Sequence, residues 1–265
     1  MALLARADLE SLLRAKRLDR TLTSARPACS SNGPHDDLAV AATGLSPLDA
    51  RLGGGFPRGQ LSEVIGPRSS GRTSLLLRAL AAATARGELV ALIDALDRLD
   101  VASAQAAGVD LDRLLWIRGH VVPNPGMCRD MNQRALEQSV KALTLVLQAG
   151  NFGLVAFDVA GAPADAIRRL PFTTWLRLQR MVEGSQTACV LVGAERLARS
   201  SAGLTIQLGI RDLGFGIRES RGICGIRFND RMFDGIDIEA RVIRSRARVH
   251  EEIAVAFATS ASHCA

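Results

Sequence analysis

The sequence contains no tyrosine, only two lysines among its 33 basic residues, and aromatic side chains at 4% of its positions. So few aromatic residues argue against strong binding of single-stranded nucleic acid by base stacking. The five cysteines are scattered without a CxxC pair or a Cys/His cluster, so neither a disulfide framework nor a metal site is predicted. No run of about 18 apolar residues occurs, and charges at Arg6, Asp8 and Glu10 interrupt the first residues before a signal-peptide core is complete. We therefore expect a cytoplasmic protein without a membrane-spanning helix.

The composition is that of a globular protein with a full hydrophobic core. Of the 265 residues, 48% are apolar and 23% are charged, which separates the chain from disordered and collagen-like sequences. A chain of this length is expected to form one large domain with tails. The net charge of +6 is compatible with an anionic partner, but a moderate excess of this size does not establish one.

The first 37 residues separate into a helical segment and a linker. Residues 1–20 place Leu9, Leu12 and Leu13 on one helical face, which predicts an amphipathic helix. Residues 21–37 are rich in Ser, Pro, Gly and Asn, which predicts a flexible linker. We expect a tethered helix that docks on a partner or on a neighbouring subunit; the alternative is a disordered leader.

Residues 38–258 alternate strands with helices and form the predicted core, followed by a tail at 259–265. Apolar strands separated by helices indicate a mostly parallel sheet that is buried on both faces, and therefore an α/β fold. From about Leu204 the pattern changes to strands joined by turns, which predicts an antiparallel extension on the C-terminal side. The predicted strands are 61–65, 89–93, 114–117, 154–157, 188–192, 204–213, 222–229 and 236–248, and the predicted helices are 73–86, 99–107, 129–149 and 172–184. Residues 250–257 fit either a strand or a helix.

The most specific motif is a loop with glycine near both ends, placed between a strand and a helix. It consists of Gly66, Pro67, Arg68, Ser69, Ser70, Gly71, Arg72 and Thr73. This is the context of a phosphate-binding loop, in which backbone amides and a helix N-terminus face an anion and a hydroxyl such as that of Thr73 holds Mg²⁺. Arg72 replaces the expected lysine, and its larger planar group is not equivalent to a compact ammonium. Nucleotide binding and a structural relic of such a loop are both open.

An acidic residue ends a second buried strand. Asp158 follows the apolar residues 154–157. A carboxylate at the carboxyl end of a buried strand is suited to orient Mg²⁺ through water, as the second acidic motif of nucleotide-binding proteins does. The alternative is an aspartate that caps the following turn.

Several segments resemble the core of the RecA recombinase. They are residues 43–49, 52–60, 63–67, 92–95 and 108–115. The resemblance extends from about residue 43 to 258 and is most specific up to residue 115. It implies a RecA-like P-loop ATPase core with ATP and Mg²⁺ as cofactors, and Asp100 matches an aspartate of the family's nucleotide site.

The chain departs from this family where hydrolysis requires particular side chains. RecA-type enzymes place a water-activating glutamate where this chain has Leu96, which cannot accept a proton. Ser103 replaces the aromatic residue that stacks on adenine, and Gly193 and Ala194 replace an Asn-Gln pair that senses the terminal phosphate. We therefore predict no catalytic residues and slow or absent ATP hydrolysis.

The segments that match the DNA-binding loops of RecA are short, whereas basic residues persist elsewhere. Residues 160–171 stand in place of the first loop, and only residues 195–201 stand in place of the second. The candidate patch for RecA, a polymerase partner or DNA phosphate consists of Arg196, Arg199, Arg244, Arg246 and Arg248. The alternative for its strand residues is a solvated basic edge that prevents aggregation.

Together with the helical leader, these departures resemble the ImuA group, which is also described as SulA-related. That resemblance implies an accessory role in SOS-induced mutagenesis. It also implies ImuB, a catalytically inactive relative of Y-family polymerases, as a partner, and an indirect link to an error-prone C-family polymerase. Our hypothesis is that the RecA-like fold lets the chain contact RecA or ImuB. We expect an adaptor that supports translesion synthesis and restrains recombination, with weak DNA binding at most.

Two other functions remain open on the sequence alone. The first is an ATP-dependent, single-stranded-DNA-binding RecA paralogue active in recombination repair, with Glu63, Asp97 or Glu195 as a displaced catalytic base. The second is a cell-division inhibitor, for which the only indication is the SulA-related description. DNA-stimulated ATP turnover separates the first alternative from the adaptor.

Overall fold

The structure, a computed structural model, describes residues 40–120, 128–210, 226–229, 232–245 and 253–260. These residues all belong to one compact unit that begins at Asp37. The predicted helix at 1–20, the linker at 21–37, and Arg246 and Arg248 of the candidate patch lie outside the described residues.

A nine-stranded sheet forms the centre of this unit, and a two-stranded sheet lies apart from it. The two-stranded sheet pairs β1 (Val40–Ala41) with β2 (Phe56–Pro57). The strands of the large sheet are β3 (Leu61–Ile65), β4 (Val90–Asp94), β5 (Leu114–Arg118), β6 (Leu154–Asp158), β7 (Ala188–Gly193), β8 (Leu204–Ile210), β9 (Ile226–Asn229), β10 (Met232–Ser245) and β11 (Ile253–Ser260).

The large sheet is parallel in its centre and antiparallel at one side. Its order is β11-β10-β8-β3-β7-β6-β4-β5, and β9 pairs with β10. All pairs from β8 to β5 are parallel, whereas β10 runs antiparallel to β8, β9 and β11. The predicted α/β fold, with a mostly parallel sheet and an antiparallel extension on the C-terminal side, is therefore confirmed.

Helices cover both faces of the parallel strands. They are α1 (Ser46–Leu52), α2 (Arg72–Ala85), α3 (Val101–Ala106), α4 (Arg129–Ala149), α5 (Ala164–Arg168) and α6 (Phe172–Val182), with short 3-10 turns at Leu111–Arg113 and Arg199–Ser201. Within the described part of the chain, no helix combines the length and the apolar character that crossing a bilayer requires.

The side chains of the parallel strands alternate between two hydrophobic layers. On β4, Val90 and Leu92 pack into the layer formed with α2, whereas Ala91 and Ile93 pack into the layer formed with α4 and α6. Successive side chains of a strand point to opposite faces, so a strand that is apolar throughout needs a helix layer on each side. This explains why these strands contain uninterrupted apolar runs.

Arg58 ties several chain segments together near the amino ends of the parallel strands. Its guanidinium Nη1 donates to the carbonyl oxygens of Gly153, at 3.0 Å, and Gln186, at 2.8 Å. Its Nε donates to the carbonyl of Val40, and its Nη2 pairs with Glu88 at 2.7 Å. One side chain therefore contacts the segments that lead into β4, β6 and β7 as well as β1.

The carboxyl ends of the parallel strands bring the candidate site together. β7 lies between β3, which leads into the glycine-bounded loop, and β6, which ends at Asp158. Asp158 is paired in register with Asp94 at the end of β4. Two acidic residues and the loop therefore meet at the same edge, where ligands of open α/β sheets commonly bind.

The element boundaries differ from the predicted ones mainly toward the end of the chain. β10 begins at Met232, four residues before the predicted strand at 236–248. β11 occupies the segment that fitted either a strand or a helix, and it includes Thr259 and Ser260, which the sequence placed in the tail. The antiparallel pairing of β11 with β10 accounts for this extension, because Ser260 is the register partner of Gly235.

Candidate functional site

The glycine-bounded loop (residues 66–71) connects β3 to the first turn of α2. Gly71 has a φ angle of +86°, and Ser69 has a φ angle of +61°. A Cβ on Gly66 would lie 2.4 Å from the carbonyl oxygen of Leu208 and 2.6 Å from Ser70 Oγ. The loop is therefore tightly curled around Gly66, and no larger residue fits there without a backbone shift.

Two buried polar groups of this loop and its helix have unused hydrogen-bonding atoms. Ser70 is 1% exposed and Arg72 is 7% exposed. Ser70 Oγ and Arg72 Nη1 are buried and have no hydrogen-bond partner among the residues that the structure describes. Buried polar groups normally have partners, and those that do not require an explanation such as a ligand. An anion in the loop would supply the missing acceptor for both groups.

Charge also accumulates around Arg72. Burial lowers the pKa of Arg72, the negative charge of Asp158 raises it, and the positive charge of Arg68 lowers it, with a net lowering. Arg68 itself is exposed, as are Pro67, Ser69 and Thr73. Two guanidinium groups thus act on each other within one loop, an arrangement that a bound anion would stabilise.

Asp158 lies at the end of β6 and also stabilises the turn that follows. Its Oδ1 accepts a hydrogen bond from the Ala160 amide at 2.8 Å. Burial raises the pKa of Asp158, and the nearby charge of Asp94 raises it further, against the lowering effects of the Ala160 amide, Arg72 and Arg98. The structure therefore contains the turn-stabilising contact that was the alternative to a metal-orienting role, and it also places the carboxyl group within the electrostatic influence of the loop.

Asp94 is a structural part of this edge that the sequence analysis did not single out. It is 2% exposed, and its Oδ2 accepts hydrogen bonds from the amides of Arg98 and Leu99 and from the indole of Trp116. These three donors hold the turn after β4 against β5. The signal in the sequence was an aspartate at the end of each of two apolar strands, β4 and β6, which the register places side by side.

The position expected for a catalytic glutamate holds a buried hydrocarbon side chain. Leu96 is 6% exposed and packs in the hydrophobic layer that includes α4. A Cβ on Gly161 would lie 3.2 Å from Leu96 Cδ1 and 2.8 Å from Arg98 Nε, so both side chains contact the turn after β6. Ala194, which follows β7, is exposed and has no side-chain hydrogen-bonding atom.

Asp100 caps the start of α3. Its Oδ2 accepts hydrogen bonds from the Ser103 hydroxyl at 2.5 Å and the Ser103 amide at 2.9 Å. These bonds, the hydroxyl first, lower the pKa of Asp100. Asp100, which the sequence predicts to contact a nucleotide, is thus positioned by Ser103, which stands where the resemblance predicts an aromatic residue.

The three candidate displaced bases all have protein partners. Glu63 is fully buried in β3 and accepts from the amides of Leu197, at 2.8 Å, and Ala198, at 2.5 Å, and from the Thr205 hydroxyl at 3.1 Å. The other two carboxylates form ion pairs with arginines, Asp97 with Arg118 at 2.7 Å and Glu195 with Arg168 at 2.8 Å.

A groove lies between α5 and the segment after β7. It contains two adjoining cavities of about 250 and 280 Å³. Ile167 and Leu197 line both cavities, and Arg168 and Arg196 lie along them. The hydrogen bonds that the Leu197 and Ala198 amides donate to Glu63 attach this wall of the groove to β3.

The candidate arginine patch is distributed over more than one part of the fold. Arg196 is exposed in the groove, and Arg199 begins a 3-10 turn. Arg244 is the register partner of Thr205 on β8. Thr205 in turn pairs with Glu63 in the middle of β3, so Arg244 lies level with the centre of that strand.

Comparison with known proteins finds similarity to RecA in the part of the chain that contains the glycine-bounded loop. Residues 28–128 match the RecA N-terminal domain family. Protein RecA of Streptomyces avermitilis is 36% identical over 130 residues, 49% of this chain and 31% of that protein. Protein RecA of Clavibacter michiganensis is 38% identical over 126 residues, 47% of this chain and 31% of that protein.

A longer match reaches most of the described core. Protein RecA of Clostridioides difficile is 30% identical over 225 residues, which is 80% of this chain and 60% of that protein. The chain thus spans less than two thirds of the length of each of these three relatives.

Proposed function

Because this protein has a RecA-like α/β core, we propose that it is a RecA-like adaptor that binds nucleotide phosphates and hydrolyses ATP slowly or not at all. The observation that carries the proposal is the state of the carboxyl edge of the sheet. The glycine-bounded loop is tightly curled, and Ser70 Oγ and Arg72 Nη1 are buried without a hydrogen-bond partner in the described part of the chain. By the sequence resemblance to RecA, Leu96 matches the water-activating glutamate, and its side chain is buried.

The residues present suit a polyphosphate chain with a magnesium ion. Ser70 Oγ and Arg72 Nη1 supply donors for phosphate oxygens, together with the amides at the start of α2. Thr73 and Asp158 supply the oxygen ligands that Mg²⁺ prefers, and a bound ion would neutralise phosphate charge there. Asp100 is the candidate contact on the nucleoside side.

Hydrolysis lacks a suitably placed base in the described residues. A general base typically contributes about 10²–10⁴-fold to a reaction rate. Asp94, Glu63 and Asp97 each use their carboxylate oxygens to hold neighbouring segments in place. Removing any of them from those contacts would expose buried or ion-paired groups, so none is available at low energetic cost.

The proposed partners are RecA and ImuB, with the error-prone C-family polymerase reached indirectly. The resemblance of the sequence to the ImuA group and the RecA-type relatives support this part of the proposal. The segments in place of the DNA-binding loops are short and hydrogen-bonded to the sheet through Asp158 and Glu63. A chain that matches a RecA subunit but does not extend a filament would restrain recombination and favour translesion synthesis during the SOS response.

Steady-state ATP hydrolysis, measured with and without single-stranded DNA, tests the loss of catalysis. We expect a turnover at the level of the buffer control under both conditions. Co-precipitation of the full chain with RecA and, separately, with ImuB tests the adaptor role. Binding to at least one of them is expected, and binding to neither would refute it.

The second candidate is an ATP-dependent RecA paralogue that binds single-stranded DNA in recombination repair. The match to protein RecA of Clostridioides difficile over 80% of this chain favours it. DNA-stimulated turnover at ordinary enzymatic rates would support this candidate over the adaptor. A Glu63→Gln variant with unchanged turnover would then exclude Glu63 as its base.

A further inference from the structure

The loop between β3 and the start of α2 carries two positive charges, Arg68 and Arg72, and one of their buried donor atoms has no hydrogen-bond partner among the described residues. Arg72 begins α2, is 7% exposed, and has a buried Nη1 without a partner in the described part of the chain. Arg68, three residues after the end of β3, is close enough to repel it electrostatically. Ser70 Oγ lies within the curled loop, 2.6 Å from where a Cβ on Gly66 would be.

The acidic groups at this edge are mostly committed to the protein itself. Asp94 holds three donors with its Oδ2. The carboxylate of Asp158 is partly engaged as well, because its Oδ1 accepts a hydrogen bond from the Ala160 amide and the charges of Arg72 and Arg98 act on it. A metal cation at this edge would add positive charge near three arginines, Arg68, Arg72 and Arg98. It would face one carboxylate, that of Asp158, whose capacity for hydrogen bonds is not already used.

We propose that the loop binds the polyphosphate of a nucleotide without requiring a divalent cation, because the added charge of Arg68 and the forked hydrogen bonding of Arg72 replace what the metal ion contributes in other phosphate loops. This inference rests on the proposed nucleotide binding and specifies its charge chemistry. Mg²⁺ remains compatible with the Thr73 and Asp158 oxygens, but the affinity for phosphate does not depend on it.

The chemistry of arginine accounts for this substitution. A guanidinium is planar, stays charged when buried, and donates several hydrogen bonds in a fork that matches two oxygens of one phosphate. A lysine ammonium carries the same single charge but acts as a compact point charge and does not hold two oxygens of one phosphate in a planar fork. Arginine at position 72 therefore adds hydrogen bonds rather than charge, and the additional positive charge near it comes from Arg68.

Calorimetric titration of the full chain tests the inference directly. The probes are inorganic tripolyphosphate and a non-hydrolysable ATP analogue, each titrated in EDTA and again with excess Mg²⁺. We expect dissociation constants that agree within about threefold between the two conditions, since the removed metal contact is replaced by arginine contacts. Binding that appears only with Mg²⁺, or that strengthens about tenfold or more, would overturn the inference and leave the proposed nucleotide binding intact. No heat in either condition would overturn both.

Three variants show which side chains supply the charge. Arg68→Ala should weaken tripolyphosphate binding about tenfold in EDTA, because a hydrogen bond to a charged group is lost. Arg72→Lys should bind tripolyphosphate about tenfold more tightly with Mg²⁺ than in EDTA. Arg78→Ala removes an exposed arginine from the same helix and should bind like the parent protein.

Each variant result either supports the inference or overturns it. Unchanged binding by Arg68→Ala would overturn it, and because Arg68 is exposed this variant is expected to fold. An Arg72→Lys variant that is as insensitive to Mg²⁺ as the parent would also overturn it. Far-ultraviolet circular dichroism and thermal melting confirm that the compared proteins are folded before titration.

Discussion

At the scale of single residues, buried and half-buried charges in this protein act mainly as structural ties. Glu88 is a clear case, because it pairs with both Arg58 and Arg86. Burial raises the pKa of Glu88, and the hydrogen bonds and charges of Arg86 and Arg58 more than offset this effect, so the pKa is lowered. The folded protein therefore binds the proton of Glu88 less readily than the unfolded chain does.

This lowered pKa predicts a pH-dependent contribution of Glu88 to stability. A carboxylate with a lowered pKa stabilises the fold above its unfolded value, and the contribution is lost as the pH falls through the folded value. We expect Glu88→Gln to lower the free energy of unfolding by about 1 kcal/mol at neutral pH, with the difference from the parent shrinking below about pH 4.

Urea unfolding across this pH range measures the effect. The control is Glu183→Gln, which changes an exposed glutamate near the end of α6, outside the Arg58–Glu88–Arg86 cluster. A Glu88→Gln difference that stays as large well below about pH 4 as it is at neutral pH would contradict the assigned cause.

Gly66 gives a second prediction at this scale, about the space inside the loop. A methyl group there would meet the Leu208 carbonyl and Ser70 Oγ at distances that no real Cβ shows. We expect Gly66→Ala to destabilise the fold by about 1–3 kcal/mol, as overpacked sites do, and to abolish tripolyphosphate binding. Gly209→Ala is the matched control, because a Cβ there has no atom within 4 Å. Tripolyphosphate binding by Gly66→Ala at parental affinity would show that the loop does not hold the anion.

At the scale of elements, the most informative connection is between β3 and the segment after β7. Glu63, in the middle of β3, accepts hydrogen bonds from two amides of that segment and from Thr205 of β8. The strand that leads into the phosphate loop thus also fixes one wall of the groove. This arrangement explains why an acidic residue is tolerated in a fully buried central strand.

Replacing the charge of Glu63 is predicted to release this segment. In Glu63→Gln the Leu197 and Ala198 amides would donate to a neutral amide oxygen instead of a carboxylate, and the Thr205 hydroxyl would have to accept from the new amide group instead of donating. We expect Glu63→Gln to lower the free energy of unfolding by about 2 kcal/mol and to accelerate hydrogen exchange at the Leu197 and Ala198 amides. Glu195→Gln, in the same segment but exposed, should change stability by less than about 0.5 kcal/mol. Unaltered exchange at both amides would contradict the role of Glu63.

The sequence was sufficient to predict the central elements because their patterns are local. Apolar runs such as 89–93 and 154–157 fit strands, and the long periodic segment at 129–149 coincides with α4. The phosphate loop was also identifiable, because its glycines lie between a strand and a helix. α5 was not predicted, because it is only five residues long and follows a proline.

The roles of individual acids depend on register and could not be read from spacing. Glu63 was a candidate base because of its chemistry, yet its partners are more than 130 residues away along the chain. Asp94 was not singled out, because its importance comes from β4 lying next to β6 and β5. Only the pairing of the strands shows that the carboxylates of Glu63 and Asp94 accept hydrogen bonds from neighbouring segments and stabilise them.

At the scale of the whole molecule, the proposed adaptor role predicts an effect of the protein on RecA filaments. A single RecA-like subunit that joins a filament but does not extend it stops growth at that end. We therefore expect this protein to shorten RecA filaments on single-stranded DNA even when it is present at a molar ratio far below one per RecA subunit. Electron microscopy or light scattering would measure the filament length. Inhibition that requires one chain for every RecA subunit would indicate sequestration of free RecA instead.

The contacts of Arg58 affect how the opposite edge of the sheet opens. This side chain holds the carbonyl groups of Val40, Gly153 and Gln186 and the carboxylate of Glu88 at the same time. One residue consequently stabilises turns that are distant in the chain, so we expect these turns to open together. A protease would then cleave any of them only when the others open as well. Loss of that single guanidinium would turn one cooperative opening into several independent ones, and the turn next to Gly153 would become a cleavage site while the strands around it stay folded.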